Sequence, residues 1–127
     1  MPAKPDSDSI CILDDDASVR NSIVQLLDSD GLEAQSFQDA ENLFAHAISH
    51  GVSLAVLDVW LPKTSGLQVQ ARLREMSPQT KVIVMTGRET PGIRAAALDA
   101  GAFAFLLKPF DDEAFLSLVR QALHIAT

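Results

Sequence analysis

The sequence predicts an α/β fold, in which a five-stranded parallel sheet is doubly wound by five helices on its two faces. Five short apolar segments alternate with five segments of helical periodicity along the 127 residues. The segment from Leu54 to Leu57 is apolar at every position, as in strands that are covered on both faces. This run leads into Asp58 and stops at Pro62, so a carboxylate ends a buried strand. Right-handed crossovers would bring the carboxyl ends of all five strands to one edge of the sheet.

Two strands and two helices are predicted before the central strand. An apolar strand spans 10–13, and a more polar strand at or near the sheet edge spans 32–37. Apolar residues three and four positions apart predict the helix between them, and a second helix begins after the capping residue Asp39. Gly31 and Gly51 end these two helices. The predicted buried faces are Val19, Ile23, Leu26 and Leu27 in the first helix and Leu43, Phe44, Ala47 and Ile48 in the second.

Three strands and three helices follow in alternation. The strands span 52–58, 81–87 and 103–107. Pro91 begins the helix between the last two strands, and Gly101 ends it. The predicted buried faces are Leu67, Ala71 and Met76 in the third helix and Phe115, Leu118, Val119 and Ala122 in the fifth, which Asp111 or Asp112 caps.

Composition and charge limit the classes of function. Apolar residues make up 47% of the chain and charged residues 21%, which is typical of one soluble globular domain. The net charge of −7 argues against direct contact with nucleic acid. No apolar segment approaches the roughly 20 residues of a membrane span. The single cysteine cannot form an internal disulfide. We therefore expect a cytoplasmic domain over 10–127, preceded by a disordered tail over 1–9 that lacks an apolar signal region.

Residues able to bind a metal ion and a phosphoryl group end four different strands. Asp14 and Asp15 follow the first strand, Asp58 ends the third, Thr86 the fourth, and Lys108 follows the fifth. Three neighbouring carboxylates need a counter-charge, and their oxygen atoms favour Mg²⁺, for which Mn²⁺ could substitute. Lys108 adds a positive charge for a phosphoryl oxygen, and Thr86 can donate a hydrogen bond to another. Asp58 is then the natural nucleophile for an aspartyl phosphate.

The motifs around these residues resemble those of receiver domains of bacterial two-component response regulators, the CheY-like domains. The resemblance covers nearly the whole chain, from about Ile10 to Ile125, and implies a flavodoxin-like sheet of strand order 2-1-3-4-5. The stretch from Thr86 to Ala102 is most similar to receivers fused to helix-turn-helix output domains. The motifs are Ile-Leu-Asp-Asp at 12–15, Leu-Asp-Val-Trp-Leu-Pro at 57–62 with Gly66, Val-Met-Thr-Gly at 84–87 and Leu-Lys-Pro-Phe at 107–110.

The resemblance implies a role for each acidic residue. Asp58 would accept a phosphoryl group from a sensor histidine kinase or a phosphotransfer protein. Asp15, Asp58 and the backbone carbonyl of Trp60 would bind Mg²⁺ directly, and Asp14 would act through a water. The domain would catalyse only its own phosphorylation and dephosphorylation, so it would not be an enzyme in the ordinary sense.

The resemblance also implies roles for residues that shape the site. Lys108 would pair with the phosphoryl group, and the Lys108–Pro109 peptide bond would be cis, which is ordinary for X-Pro in a tight turn. Pro62 and Gly66 would shape the loop after the nucleophile. Gly87 would leave room beside the threonine.

A switch follows from the same resemblance. Phosphorylated Asp58 would draw the Thr86 hydroxyl inward, and the side chain of Phe105 would then turn from outside to inside. Phe105 stands where the family often has tyrosine, so this switch would be steric. The face formed by the fourth helix, fifth strand and fifth helix would change, and it would form a homodimer or contact an output domain missing from this chain.

Trp60 and Arg88, together with Gly87 beside Arg88, are predicted to control access to the phosphoryl group and how long it persists. Trp60 lies two residues beyond Asp58, and Arg88 lies two residues beyond Thr86, so both flank the path of an attacking water. Neither is a small amide or a carboxylate that could orient a water well. We therefore predict slow self-dephosphorylation, over many minutes or longer.

Two other functions fit parts of the sequence. A phosphatase of the haloacid-dehalogenase type would use Asp14 as nucleophile and Asp16 as acid–base, with Thr86 and Lys108 in its later motifs. The chain is short for that family's core and cap, and Asp58 would have no role. A degenerate receiver would act only as an interaction module, although all five pocket positions are intact. A receiver traps one phosphoryl group, whereas a phosphatase turns over.

Overall fold

Strands and helices alternate strictly in the computed structural model, which describes residues 9–124. Every strand pair is parallel, and the sheet has the order β2-β1-β3-β4-β5. The predicted fold class and strand order are therefore confirmed. The strands are Ile10–Leu13 (β1), Ala34–Phe37 (β2), Leu54–Asp58 (β3), Lys81–Thr86 (β4) and Ala104–Leu107 (β5), and the helices are Ala17–Ser29 (α1), Ala40–His50 (α2), Gly66–Met76 (α3), Ile93–Asp99 (α4) and Asp112–Ala122 (α5).

Two apolar clusters lie on the two faces of the sheet. Because successive strand residues point to opposite faces, Ile12 and Val56 join the cluster under α1 and α5, whereas Leu13 and Leu57 join the cluster under α2, α3 and α4. The strand β3 is buried at all five positions, as its continuous apolar run predicts. Cys11 is also fully buried, and this burial raises the pKa of its thiol to about 12. The helices thus cover both faces and leave the strand ends as the accessible edge.

Two of the predicted helix faces are wrong in part. Ile48 is 76% exposed, because it lies about 90° around α2 from the centre of the face formed by Leu43, Phe44 and Ala47 at about 100° per residue. Ala71 is also exposed, since α3 instead buries Val69, Gln70 and Leu73. The polar side chain of Gln70 concealed this face in the sequence.

Helix boundaries agree with the capping residues at most positions. Asp39 and Asp111 accept hydrogen bonds from backbone N–H groups of α2 and α5, as predicted. The glycine Gly31 has a φ of 78° and follows α1, as expected of a helix-ending residue. Helix α4 begins at Ile93, two residues after the predicted start at Pro91, because Gly92 takes a left-handed conformation between them.

The ends of the described chain bear on two predictions. Ser9 accepts backbone hydrogen bonds from Ser53 and Leu54 and donates its hydroxyl to the carbonyl of Gly51, so it belongs to the folded domain. The rest of the predicted tail, residues 1–8, lies outside the described residues. Between Ser9 and His124, none of the helices combines the length and the apolar character that a membrane crossing demands.

Candidate functional site

The parallel strands bring the predicted site residues to one edge of the sheet. Asp14 follows β1, Asp58 ends β3, Thr86 ends β4 and Lys108 follows β5. Strand β3 pairs with both β1 and β4, and β4 pairs with β5, so the four strand ends are neighbours. Asp14 and Thr86 are 0% exposed and Asp58 is 4% exposed, which makes the edge a recessed polar site.

Three carboxylates converge in this recess. One oxygen each from Asp14, Asp15 and Asp58 lie within 4.8 Å of one another. Two of these aspartates are buried and Asp15 is exposed, so the cluster opens to solvent on one side. A set of carboxylate oxygens without histidine or cysteine suits a hard divalent cation such as Mg²⁺. The residues of the site therefore fit the predicted metal ion.

Lys108 connects the two buried carboxylates. Its Nζ lies 2.9 Å from Oδ2 of Asp14 and 3.3 Å from Oδ1 of Asp58. Burial alone would lower the pKa of Lys108, but the hydrogen bond to Asp14 and the charge of Asp58 outweigh it and raise the pKa. The ammonium is therefore charged at neutral pH. The Lys108–Pro109 peptide bond is cis, which confirms the prediction.

Ionisation of the Asp58 carboxyl group is electrostatically unfavourable in this position. Burial and the neighbouring charge of Asp14 raise its pKa from 3.8 to about 6, and Lys108 offsets only part of this rise. A carboxylate with a raised pKa is more basic, and it is still mostly ionised at pH 7. Asp58 is thus available as a nucleophile, and it gains from any cation bound beside it.

Asp14 is fixed at four of its atoms. Its Oδ1 accepts from the backbone N–H of Asp16 at 2.9 Å, and its Oδ2 accepts from Lys108. Its backbone N–H donates to the carbonyl of Phe37, and its own carbonyl accepts from the Arg20 guanidinium at 2.6 Å. Sequence reasoning missed Arg20, because a contact to a backbone carbonyl leaves no motif. Both carboxylate oxygens of Asp14 are engaged, which favours Asp58 as the nucleophile.

The Thr86 hydroxyl is turned toward the loop after β4. It donates to the backbone carbonyl of Arg88 at 2.9 Å and accepts from the backbone N–H of Arg88 at 3.1 Å. The indole Nε1 of Trp60 donates to the same carbonyl at 3.1 Å, and the Arg88 guanidinium carbon lies 4.6 Å from the centre of the indole ring. The loops after β3 and β4 are therefore joined beside Asp58 by two of the residues predicted to control water access.

Phe105 is already turned inward, although the predicted switch moves it inward only when the Thr86 hydroxyl moves inward. The prediction joins an inward Phe105 to a Thr86 hydroxyl that has moved inward, but Phe105 is only 7% exposed while the hydroxyl faces Arg88. The ring has no hydroxyl that would favour an outward position. In addition, the Arg94 guanidinium carbon lies 4.7 Å from the ring centre and covers it.

Two glycines beside the site differ in the space around them. A Cβ on Gly66 would lie 2.3 Å from the backbone oxygen of Asp58, so this glycine lets α3 approach β3 closely. A Cβ on Gly87 would lie 4.0 Å from Cε of Lys108, an ordinary contact, so the predicted role of Gly87 stays a prediction. The predicted metal contact of the Trp60 carbonyl and the predicted role of Pro62 in shaping the loop stay predictions.

Comparison with known proteins connects this geometry to a family. The response regulator receiver domain family matches residues 10–120. The response regulator protein TodT of Pseudomonas putida is 35% identical over 117 residues, which are 92% of this chain and 52% of TodT. The transcriptional regulatory protein FixJ of Azorhizobium caulinodans is 35% identical over 119 residues, which are 94% of this chain and 56% of FixJ. The chain thus spans about half the length of these curated relatives.

Solved structures agree with the sequence matches. The solution structure of the beryllofluoride-activated NtrC4 receiver domain dimer superposes with a TM-score of 0.88 at 28% identity, covering 92% of this chain and 97% of that one. The matched region contains all the strand ends that form the acidic site. The chain belongs to the response regulator receiver domain family.

Proposed function

We propose that this domain accepts a phosphoryl group on Asp58 from a phosphohistidine of a sensor histidine kinase or a phosphotransfer protein. The observation that carries the proposal is the bridge of Lys108 between Asp14 and Asp58, beside a cluster of three carboxylate oxygens. Such a site combines a nucleophile, a positive charge and metal ligands within a few ångströms. It is a signalling site in a cytoplasmic protein, and its reaction is limited to its own phosphorylation and dephosphorylation.

The proposed reaction is an in-line displacement at phosphorus. A carboxylate oxygen of Asp58 forms a bond to phosphorus while the bond from phosphorus to the histidine nitrogen breaks, and the electron pair leaves with the imidazole. Lys108 moves its ammonium from the carboxylates toward the transferred oxygens and stabilises their charge. Asp15, Asp58, the Trp60 carbonyl and, through a water, Asp14 would hold Mg²⁺, or Mn²⁺ in its place. The metal supplies positive charge that neutralises the carboxylates and the phosphoryl oxygens.

The surface beside the site suits contact with a protein donor. An open groove runs between α1 and the start of α5, and Lys108 lies on its wall. We propose that the phosphodonor docks over this groove, because Nζ of Lys108, a residue of its wall, lies 3.3 Å from Oδ1 of Asp58. Its apolar lining residues are Val19, Ile23, Leu26, Pro109 and Phe110.

The proposed output surface is the face of α4, β5 and α5. Phosphorylated Asp58 would attract the Thr86 hydroxyl away from the Arg88 carbonyl and so loosen the loop before α4. Exposed apolar side chains of Leu98, Phe103 and Leu107 lie on or beside α4 and β5, with exposures of 44%, 37% and 41%. They could support a homodimer or contact with an output domain, and the matched NtrC4 receiver is itself described as a dimer.

Mixing the protein with Mg²⁺ and acetyl phosphate tests the proposal. We expect intact-mass measurements to find one phosphoryl group per chain, and none when the metal is chelated. Continuous release of inorganic phosphate without a labelled protein would instead support the phosphatase with Asp14 as nucleophile. A Mg²⁺ titration followed by the fluorescence of Trp60, beside the metal site, tests the degenerate receiver, for which the titration would be flat.

The phosphorylated domain is expected to lose its phosphoryl group slowly, with a half-life of many minutes or longer. The side chains of Trp60 and Arg88 stack on each other and follow the strand ends of Asp58 and Thr86, and neither is a small amide or a carboxylate that could orient an attacking water. After removal of acetyl phosphate, the decay is followed by intact mass. Trp60→Asn, which introduces a small amide, should shorten the half-life several-fold. A decay within seconds in the unmodified chain would contradict the prediction.

A further inference from the structure

We infer that Arg20 is a positioning residue for the metal-binding aspartates, which acts by holding the backbone carbonyl of Asp14. The inference rests on the proposed metal-dependent phosphoryl acceptance. Arg20 lies in the first half of α1 and is half-buried. Its guanidinium donates a hydrogen bond to the Asp14 carbonyl at 2.6 Å. A charged donor forms a stronger hydrogen bond than a neutral one. The contact joins α1 to the loop that carries the acidic pair.

The held carbonyl belongs to the same planar peptide unit as the N–H of Asp15. Holding the Asp14 carbonyl therefore fixes the orientation of the peptide bond that joins Asp14 to Asp15. Within residues 9–124, the exposed carboxylate of Asp15 accepts no hydrogen bond, so its direction depends on its own backbone. Arg20 thus orients a proposed direct metal ligand that it does not contact.

The remaining contacts of Asp14 do not duplicate this restraint. Asp16 and Lys108 hold the Asp14 side chain, and the Phe37 carbonyl accepts from its backbone N–H at the longer distance of 3.3 Å. None of these three contacts involves the peptide that leads to Asp15. Loss of Arg20 leaves Asp14 in place but allows this peptide to rotate.

Charge and positioning predict opposite effects of removing Arg20. If Arg20 acted only through its charge, its removal would take a positive group away from a cation site and strengthen Mg²⁺ binding. If it positions Asp15, removal weakens Mg²⁺ binding despite the gain in negative potential. The sign of the change therefore separates the two explanations.

The test is calorimetric titration of the full chain with Mg²⁺. Arg20→Met keeps the apolar stem, and Arg20→Ala keeps helix propensity, so a folding defect in one variant leaves the other for the measurement. We expect the dissociation constant to rise about tenfold in both, which is typical of residues that orient metal ligands. Arg20→Lys keeps a charged donor and should restore part of the affinity. Arg72→Met removes the same charge from the exposed surface of α3 and should leave the affinity unchanged.

A second measurement does not depend on the metal. In chelator, the backbone amides of Asp15 and Asp16 should exchange hydrogen faster in Arg20→Met than in Arg72→Met, while amides of β3 remain unchanged. Equal or tighter Mg²⁺ binding by folded Arg20 variants would overturn the inference and leave the proposed function intact. Absence of Mg²⁺ binding by the unmodified chain would overturn both.

Discussion

Asp58→Asn is expected to abolish phosphoryl capture from acetyl phosphate and Mg²⁺. The amide is nearly the same size as the carboxylate but is not a nucleophile, and it weakens the metal site by removing one of three carboxylates. Intact mass after incubation should show no phosphorylated chain. Asp14→Asn is the matched control, because it removes the other buried carboxylate. We expect it to slow capture but leave the phosphoryl group on Asp58.

Asp58→Asn is also expected to stabilise the fold, so its loss of phosphoryl capture cannot be attributed to unfolding. The folded-state pKa of Asp58, about 6, lies above its usual 3.8 because ionisation of the buried group is costly. This cost is absent below about pH 4, appears as the pH rises toward 6, and amounts to about 3 kcal/mol at pH 7. In chelator, urea unfolding should therefore find Asp58→Asn more stable at pH 7, with an advantage that disappears near pH 4.

The position of any phosphoryl group that is still found on Asp58→Asn tests whether Asp58 is the acceptor. If Asp58→Asn still becomes phosphorylated and peptide mapping places the label on Asp14, Asp58 is not the acceptor and the phosphatase alternative gains support. The geometry argues otherwise, because both oxygens of Asp14 already accept hydrogen bonds. Labelling of Asp14 would require Lys108 and the Asp16 N–H to release it.

The sequence was sufficient to predict where the site lies. Hydrophobic periodicity identified the strands, and parallel topology then required Asp14, Asp58, Thr86 and Lys108 to meet at one edge. These are consequences of chain direction and burial, which do not depend on side-chain rotamers. For the same reason, the helix-ending residue Gly31 was predictable from its residue type alone, whereas the strand order was predicted from the resemblance to receiver domains.

Features that depend on tertiary contacts were not predictable. The bond from Gln70 Nε2 to the Ala97 carbonyl, 27 residues away, allows a polar side chain to face the core, and no local pattern indicates it. The direction of the Thr86 hydroxyl and the contact of Arg20 with Asp14 use backbone carbonyls, which every residue possesses. The burial of Phe105 depends on Arg94, which covers it from another element.

Gly66→Ala is expected to impair both folding and phosphoryl capture. The added Cβ would lie 2.3 Å from the backbone oxygen of Asp58, 2.9 Å from its carbonyl carbon and 3.1 Å from Cα of Val59. These are backbone atoms, so rotation of a side chain cannot relieve the overlap. Separation of α3 from β3 should cost about 1–3 kcal/mol of unfolding free energy. A shift of Asp58 by about 1 Å would slow capture about 100-fold.

Gly87→Ala provides the matched control, because it adds the same methyl group at the opposite side of the site. Its Cβ would lie 4.0 Å from Cε of Lys108, an ordinary contact, and Gly87 has no positive φ that an alanine would strain. We expect its stability to stay within about 0.5 kcal/mol of the unmodified chain, and capture to proceed at a similar rate. Equal stability and capture for both variants would show that α3 can move away without shifting Asp58. If Gly66→Ala alone is impaired, the close approach of α3 to the Asp58 peptide is what holds the nucleophile at the sheet edge.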